Sequence, residues 1–324
     1  MRFALGDEHR QLARTLHDLL SSADVPSVAR AWAGGEPEPG LTLYARLAEV
    51  GVAGLAVPER FGGLGAGPVE LVVAFDELGH HPVPGPLVES VAVVPALLAG
   101  LPAGERWLPG LAGGEPATVA LPPHTPFALD ADVATVFAVV DGGVHLATAG
   151  RRHDSVDPAR RLFEAEPGER LGDADAAFDL GVLCAAAQLL GLGRGLLDLA
   201  CVHATARRQF GRPVGAFQAV KHELADVLVA LELARPLVHG AAVTGTPADV
   251  SAARVAAAEA ADRAARVALQ VHGAVGYTRE HDLGLWLTKV RALRSAWGTQ
   301  SWHRARVLEE ITAPASQITA PASR

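Results

Sequence analysis

The chain reads as a mainly α protein in three parts: an N-terminal helical domain over residues 1–116, a truncated middle β domain over 117–170, and a C-terminal four-helix bundle over 175–312. Three observations predict this. Apolar residues recur at three- and four-residue spacing through both ends of the chain. A short β-type run with an Asp-Gly turn interrupts them near residue 140, and the last half holds four long helical segments separated by Gly/Pro joints. With 324 residues, 49% hydrophobic and 20% charged, the chain has material for about two domains and a sizeable core, and its composition is not that of a disordered protein.

Taken in order, Asp7 can cap a helix through about Leu20, striped by Leu12, Leu16, Leu19 and Leu20. A second helix is expected from Leu41 to Val50, stopped by Gly51. Residues 54–70, GLAVPERFGGLGAGPVE, are dense in Gly and Pro and read as a loop, followed by a helix from Pro68 to Leu78 and a short apolar one from Leu87 to Leu98. Val133–Val140, Asp141-Gly142-Gly143 and Val144–Ala147 then read as a β-hairpin, with a charged loop over 151–169 behind it. That is enough for a few strands but not for a complete barrel.

The bundle helices are expected at about 179–208, 216–243, 248–272 and 282–311. In the second, Phe217, Val220, Leu224, Val227 and Leu231 make a packed seam, and the Ala-rich run Val255–Ala261 in the third allows close helix approach. Residues 313–324 fall in a doubled TAPAS phrase and read as a disordered tail.

Composition excludes several functions. A net charge of −8 argues against free nucleic acid as a partner. No uninterrupted apolar run reaches the roughly 18 to 20 residues of a membrane span. The N-terminus carries acids early and no apolar core of a secretory signal, so the cytoplasm is the expected location. Lysine occurs only at Lys221 and Lys289, isoleucine only at Ile311 and Ile318, and asparagine is absent, a bias toward GC-rich codons rather than toward a chemistry.

Some apparent motifs carry little. Gly62 to Gly67 lacks both dinucleotide-loop spacing and the Lys-Ser/Thr of a phosphate loop. His80-His81 reads as a solvated helix end, with no metal site expected because no acidic or cysteine partner is recognised at ligand spacing. Cys184 and Cys201 fall on one helix, about 25 Å apart at 1.5 Å per residue, and cannot form an internal disulfide.

Arg207-Arg208-Gln209-Phe210-Gly211-Arg212-Pro213-Val214-Gly215-Ala216-Phe217-Gln218 resembles the R-x-x-F-G-x-x-[IV]-x-x-F-Q signature of the flavin-dependent acyl-CoA dehydrogenase family. Gln270-Val271-His272-Gly273-Ala274-Val275-Gly276-Tyr277 is similar to its Q-x-x-G-G-x-G-[YF] segment, with Ala274 for the second glycine, and residues 54–70 resemble its first-domain loop. The resemblance covers about three-quarters of the chain and implies an acyl-CoA dehydrogenase-like fold with FAD across a subunit interface. It implies that Arg207 and Gln218 reach the FAD pyrophosphate of an adjacent subunit, that Phe210 packs beside the adenosine part, and that Gln270, Gly273 and Gly276 approach the cofactor from a further neighbour. The chemistry suits the parts: a guanidinium can bond a diphosphate in bidentate fashion, and glycines permit close backbone approach.

The resemblance also marks what is missing. Family enzymes use a glutamate to remove the α-proton of an acyl-CoA, in one of two places. Here the first place is Trp297, within Ala296-Trp297-Gly298-Thr299, and the second is Gly181, within Asp179-Leu180-Gly181-Val182. Neither residue can accept a proton; Asp179 reads as a helix N-cap, and Glu280 and Asp282 as surface. The segments that hold the flavin ring and thioester have no counterpart at Ala120–Pro126 or Leu146–Arg151. The resemblance therefore implies the short, glutamate-lacking subunit of a heteromeric bacterial enzyme, an α2β2-like heterotetramer in which a longer subunit supplies base and main flavin pocket. Two other readings remain open, a self-sufficient enzyme with a relocated base and a non-enzymatic scaffold.

Overall fold

A computed structural model describes residues 5–174, 177–278 and 280–312. Helix α1 (Asp7–Ser21) carries Asp7 and Glu8 in its first turn, where the helix dipole favours them, and buries Leu16 and Leu20. Helix α2 (Val25–Ala33) is not anticipated by the sequence reading. Its nine residues are started by Asp24, whose carboxylate accepts the Ser27 N–H, and by Pro26 in the first turn, which reads as a breaker out of context. Helix α3 (Glu38–Glu49) begins before the expected Leu41 because Pro39 sits where its missing N–H has no partner to lose.

The Gly/Pro loop leads to α4 (Pro68–His80), and a π-helical turn at Glu89–Val93 runs into α5 (Val94–Leu98). A further unanticipated helix, α6 (Gly104–Ala112), buries Leu108 and Leu111.

The middle segment is one five-stranded sheet: β1 (Ala117–Ala120), β2 (Ala128–Leu129), β3 (Thr135–Val140), β4 (Gly143–His153) and β5 (Leu162–Asp173), in the order β1-β3-β4-β5-β2. Strand β1 runs parallel to β3, and the other pairings are antiparallel. The β3–β4 turn holds Asp141 and Gly142 at φ 48° and 73°, the left-handed pair that matches strand twist. The expected charged loop over 151–169 is corrected by the outer parts of β4 and β5. Apart from the buried Phe163, most of their residues are exposed, so charge replaces apolar alternation: Arg151 and His153 on β4 reach Glu164 on β5 at 2.7 and 2.9 Å.

The C-terminal part starts with α7 (Phe178–Ala206), passes through the two-residue strands β6 (Arg208–Gln209) and β7 (Arg212–Pro213), and continues as α8 (Gln218–Thr244) and α9 (Pro247–His272). The expected fourth helix is two helices, α10 (Leu283–Leu293) and α11 (Gln300–Thr312). The chain breaks at Trp297 and Gly298, both at positive φ (60° and 94°). The freed carbonyls of Leu293 and Ala296 accept from the buried guanidinium of Arg254, and the Trp297 carbonyl accepts from Nε2 of His303 at 2.8 Å. The expected tail at 313–324 lies outside the described residues.

Helix α7 is the centre of the molecule, and its contact with α4 is backbone on backbone. A Cβ on Gly79 would fall 2.1 Å from the Gln188 carbonyl oxygen, and one on Gly191 would fall 1.9 Å from that of Asp76. Toward α9, Gly193 lets the Ala261 backbone close in. Cys184 and Cys201 both lie on α7 as free thiols, and burial pushes both up in pKa. Helices α7 and α8 are each long and apolar enough to cross a membrane by length and composition, although polar residues such as Gln188 and Arg194 in α7 and Glu232 and Arg235 in α8 interrupt their apolar runs. Helix α7 spends that apolar length in the interior, whereas α8 is mostly exposed.

The corner at Trp297 makes the fold acid-sensitive. His303 is fully buried; burial first, then the charges of Arg254 and Arg306, push its pKa down to about 4. The unfolded chain, near the ordinary 6.5, binds the proton more readily, so this contribution is complete above that value and is lost as pH falls toward 4. A loss of about 2 kcal/mol from this residue is expected between pH 7 and pH 5, measured by urea unfolding. His303→Gln should lower stability at pH 7 and flatten that dependence.

Candidate functional site

At the C-terminal end of α7 the chain turns through a tight hairpin. Arg207 is the helix C-cap, with extended backbone, and its exposed guanidinium makes no hydrogen bond or ion pair among the described residues. Phe210 and Gly211 form the β6–β7 turn at φ 52° and 79°. A bulky residue in the left-handed region costs on the order of 1 kcal/mol or more, and Phe210 is also 89% exposed, so this ring serves no core of its own chain. Its neighbour Phe217 meets it edge-on at 6.1 Å and carries the Arg212 guanidinium 4.1 Å above its ring. Gln218 opens α8 from an exposed position. Arg207, Arg208 and Arg212 thus concentrate positive charge on one edge of an otherwise acidic chain.

The second predicted group lies at the end of α9. Gln270 is exposed on the last turn, and Gly273 ends the helix at φ 63° with open space around it. Gly276 differs: it is buried, and a Cβ there would press on His272, Leu269 and Leu283, so its close approach serves the chain's own packing. Phe210 and Gln270, assigned to different cofactor contacts, line one groove of about 720 Å³ together with Phe217, Glu223 and Arg266. Arg207 and Gln218 do not line it.

The two positions expected to be empty of a base lie against each other. Trp297 is 1% exposed, and a Cβ on Gly181 would sit 2.3 Å from its ring carbon Cζ3. The indole fills the volume that a side chain at either position would need. Phe178 packs at 5.9 Å from it, Trp302 meets Phe178 edge-on at 5.8 Å, and His124 lies 4.1 Å from Trp302. Asp179 is not a cap: Ala177 holds that place without a side-chain bond, and Asp179 clamps Arg306 in a bidentate pair at 2.5 and 2.7 Å. That guanidinium in turn lies over Trp302.

Beside this aromatic plug a pocket of about 360 Å³ opens between the sheet, the π-helical turn and the α10–α11 corner. Two acids line it that the sequence reading did not single out, the exposed Asp154 and Glu89. Glu89 is buried, and desolvation raises its pKa against the opposing charge of Arg160. The available signal was a lone acid at the head of the apolar run VESVAVVPALL, where the helical ladder widens to a π turn. His80 and His81 are likewise no solvated end: Glu77 on the preceding turn and His17 on α1 close around them.

Comparison with known proteins places this arrangement. The family model of the acyl-CoA dehydrogenase N-terminal domain matches residues 6–115, and that of the C-terminal domain matches 171–312. The chain belongs to the acyl-CoA dehydrogenase family. It is 32% identical to acyl-CoA dehydrogenase IpdE2 of Mycobacterium tuberculosis over 87% of this chain and 91% of that one. With IpdE2 of Mycolicibacterium smegmatis it shares 31% identity over 95% of this chain and all of that one. Among solved structures, the ChsE4-ChsE5 complex of Mycobacterium tuberculosis contains a chain that matches at a TM-score of 0.81 and 23% identity, covering 97% of this chain and 100% of that one. A steroid acyl-CoA dehydrogenase, Tcur3481-Tcur3483, matches equally at 0.81 and 23%, over 95% and 98%. At such identities these two likenesses establish the fold.

FAD is the cofactor of this family. The residues at the bundle edge fit it on one side: guanidiniums for a diphosphate, and an exposed aromatic with an adjoining groove for stacking and apolar contact. The plug predicts a coupled pair. Gly181→Ala alone should destabilise the chain by about 1–3 kcal/mol through overpacking, and Trp297→Leu by a similar or larger amount through a cavity. Combined, they should cost clearly less than their sum in urea unfolding.

Proposed function

We propose that this chain is the shorter, base-lacking subunit of a heteromeric FAD-dependent acyl-CoA dehydrogenase, and that it completes the FAD site of a longer catalytic subunit. The observation that carries the reading is the indole of Trp297 seated on Gly181, which leaves neither position room for a base. Three features support it. The bundle edge presents Arg207, Phe210 and Gln218 outward; among the described residues Arg207 makes no hydrogen bond or ion pair, and Phe210 meets only the edge of Phe217. The sheet has five strands and no segment resembling the flavin- and thioester-holding phrases. Leu228, Val229, Leu233 and Leu237 on α8 stay 47–67% exposed, a second apolar face on a helix whose Val227 and Leu231 already fill the core.

Flavin supplies the hydride acceptor for α,β-dehydrogenation of the thioester. In this assembly Arg207 bonds the pyrophosphate, Gln218 adds a donor, and Phe210 shields the adenosine part. Gln270 and Gly273 approach the cofactor from the other edge, and Gly276 sets the angle of that turn. The partner supplies base and thioester grip. The substrate class is an acyl-CoA with a bulky, steroid-derived acyl part, the class named for one structural neighbour, and the cytoplasm is the compartment where such thioesters are handled.

A second reading rests on Glu89, a buried acid of raised pKa in a pocket beside the plug, which would act as a relocated base in a self-sufficient enzyme. The chain purified alone should hold no stoichiometric flavin, and co-production with a longer dehydrogenase subunit should yield a yellow complex. Arg207→Ala in that complex should reduce FAD content severalfold at equal subunit stoichiometry, while Glu89→Gln should leave turnover within about twofold. Stoichiometric flavin on the lone chain, bleached by an acyl-CoA and lost to Glu89→Gln, would establish the second reading. Unchanged FAD in the Arg207 variant would leave a scaffold role.

A further inference from the structure

Where α1, α4 and α7 meet, four side chains converge that belong neither to the groove at Phe210 nor to the pocket at Glu89. His17, Glu77, His80 and His81 each offer one ligand atom, and these atoms lie within 4.8 Å of one another. We propose that they form a binding site for a divalent transition-metal cation of the zinc type, held by three imidazoles and one carboxylate.

Local geometry assembles the set. Glu77 and His80 stand at positions i and i+3 of the last turn of α4, His81 follows as its C-cap with extended backbone, and His17 reaches in from α1. The three rings are mutual neighbours, with centroids 4.8 to 5.3 Å apart. Nδ1 of His17 is 3.2 Å from Glu77 Oε2 and 3.5 Å from His81 Nε2, so two ring nitrogens and a carboxylate oxygen crowd one small volume. A ligand set of imidazole nitrogens and one carboxylate oxygen is what zinc accepts in a four-coordinate site.

The surroundings point the same way. His80 Nε2 pairs with the Asp198 carboxylate at 2.8 Å, while its Nδ1 is buried without a partner. A carboxylate behind an imidazole is the arrangement that fixes ring orientation and tautomer in metal sites, leaving the other nitrogen to ligate. Glu77 divides its oxygens similarly: Oε1 accepts from Arg194 at 3.0 Å, and Oε2 faces the histidines. The carboxylates of Asp76, Glu77 and Asp198 outnumber the guanidiniums of Arg194 and Arg235, so the neighbourhood keeps an excess negative charge for a cation to meet.

The test uses the full, tag-free chain, stripped with EDTA, desalted, and titrated with Zn2+ by calorimetry and with Co2+ by visible absorption. One Zn2+ per chain is expected, with the intense visible bands of four-coordinate Co2+. His17→Ala and His81→Ala should each abolish that stoichiometric binding, and Asp198→Asn should weaken it about tenfold. Circular dichroism verifies each fold, and if His81→Ala unfolds, His17→Ala decides, since its ring is half-exposed. The absence of stoichiometric binding overturns the proposal. So does binding that survives the His17 substitution, or binding lost instead on His203→Ala, which disrupts the separate imidazole group of His203, His272 and His281.

Discussion

The close crossing of α4 and α7 is the constraint on which the rest of this molecule hangs. Gly79 and Gly191 put helix backbones where side chains would ordinarily stand, each meeting a carbonyl of the other helix. The crossing joins the N-terminal helices to the bundle without a linker between them. It also brings Asp76 and Glu77, both buried acids, against Arg194 of α7 at 3.0 Å. Carboxylates buried in ionised form need such partners, so glycine packing and ion pairing at this joint are one design. The desolvated pairs hold the register of the two helices, and the glycines make that register sterically possible.

From this joint the functional parts are disposed at two ends. The C-terminal end of α7 carries the Arg207–Phe210 hairpin outward, and the N-terminal end carries Gly181 inward beneath Trp297. One helix therefore carries the exposed motif hairpin at one end and closes a pocket at the other. The sheet is tied to the same frame by buried charges. Arg161 donates to the Trp32 carbonyl at 2.7 Å and pairs with Asp132 at 2.9 Å, and Lys289 of α10 lies 3.6 Å from Asp157. Burial lowers the pKa of Lys289 while Asp157 opposes the shift, which marks this as a desolvated pair rather than a surface one.

Much of this was legible in the sequence, and the exceptions have physical causes. The long bundle helices announce themselves because apolar spacing of three and four residues persists over several turns, as from Phe217 through Val220, Leu224 and Val227 to Leu231. Helices α2 and α6 did not, since each has nine residues and carries a proline. The outer parts of β4 and β5 were invisible because most of their residues are exposed and charged, and the pairing is held by backbone. The break at Trp297 could not be read because its cause is remote: Arg254, 43 positions earlier, supplies the donors for the broken turn. At the site, the motif residues were found by pattern. The contact between Gly181 and Trp297, the sharing of one groove by Phe210 and Gln270, and the closing of His17 on Glu77 all depend on chain segments far apart in sequence.

The packing of Trp297 on Gly181 has a consequence for descent. A glutamate introduced at Gly181 would collide with the indole, and one introduced at Trp297 would leave a void and an unpaired charge in a space 1% exposed. A carboxylate at either position therefore requires two concerted changes, each harmful without the other. The pair is sterically self-locking: sequences drift by single substitutions, and each single step here carries a penalty.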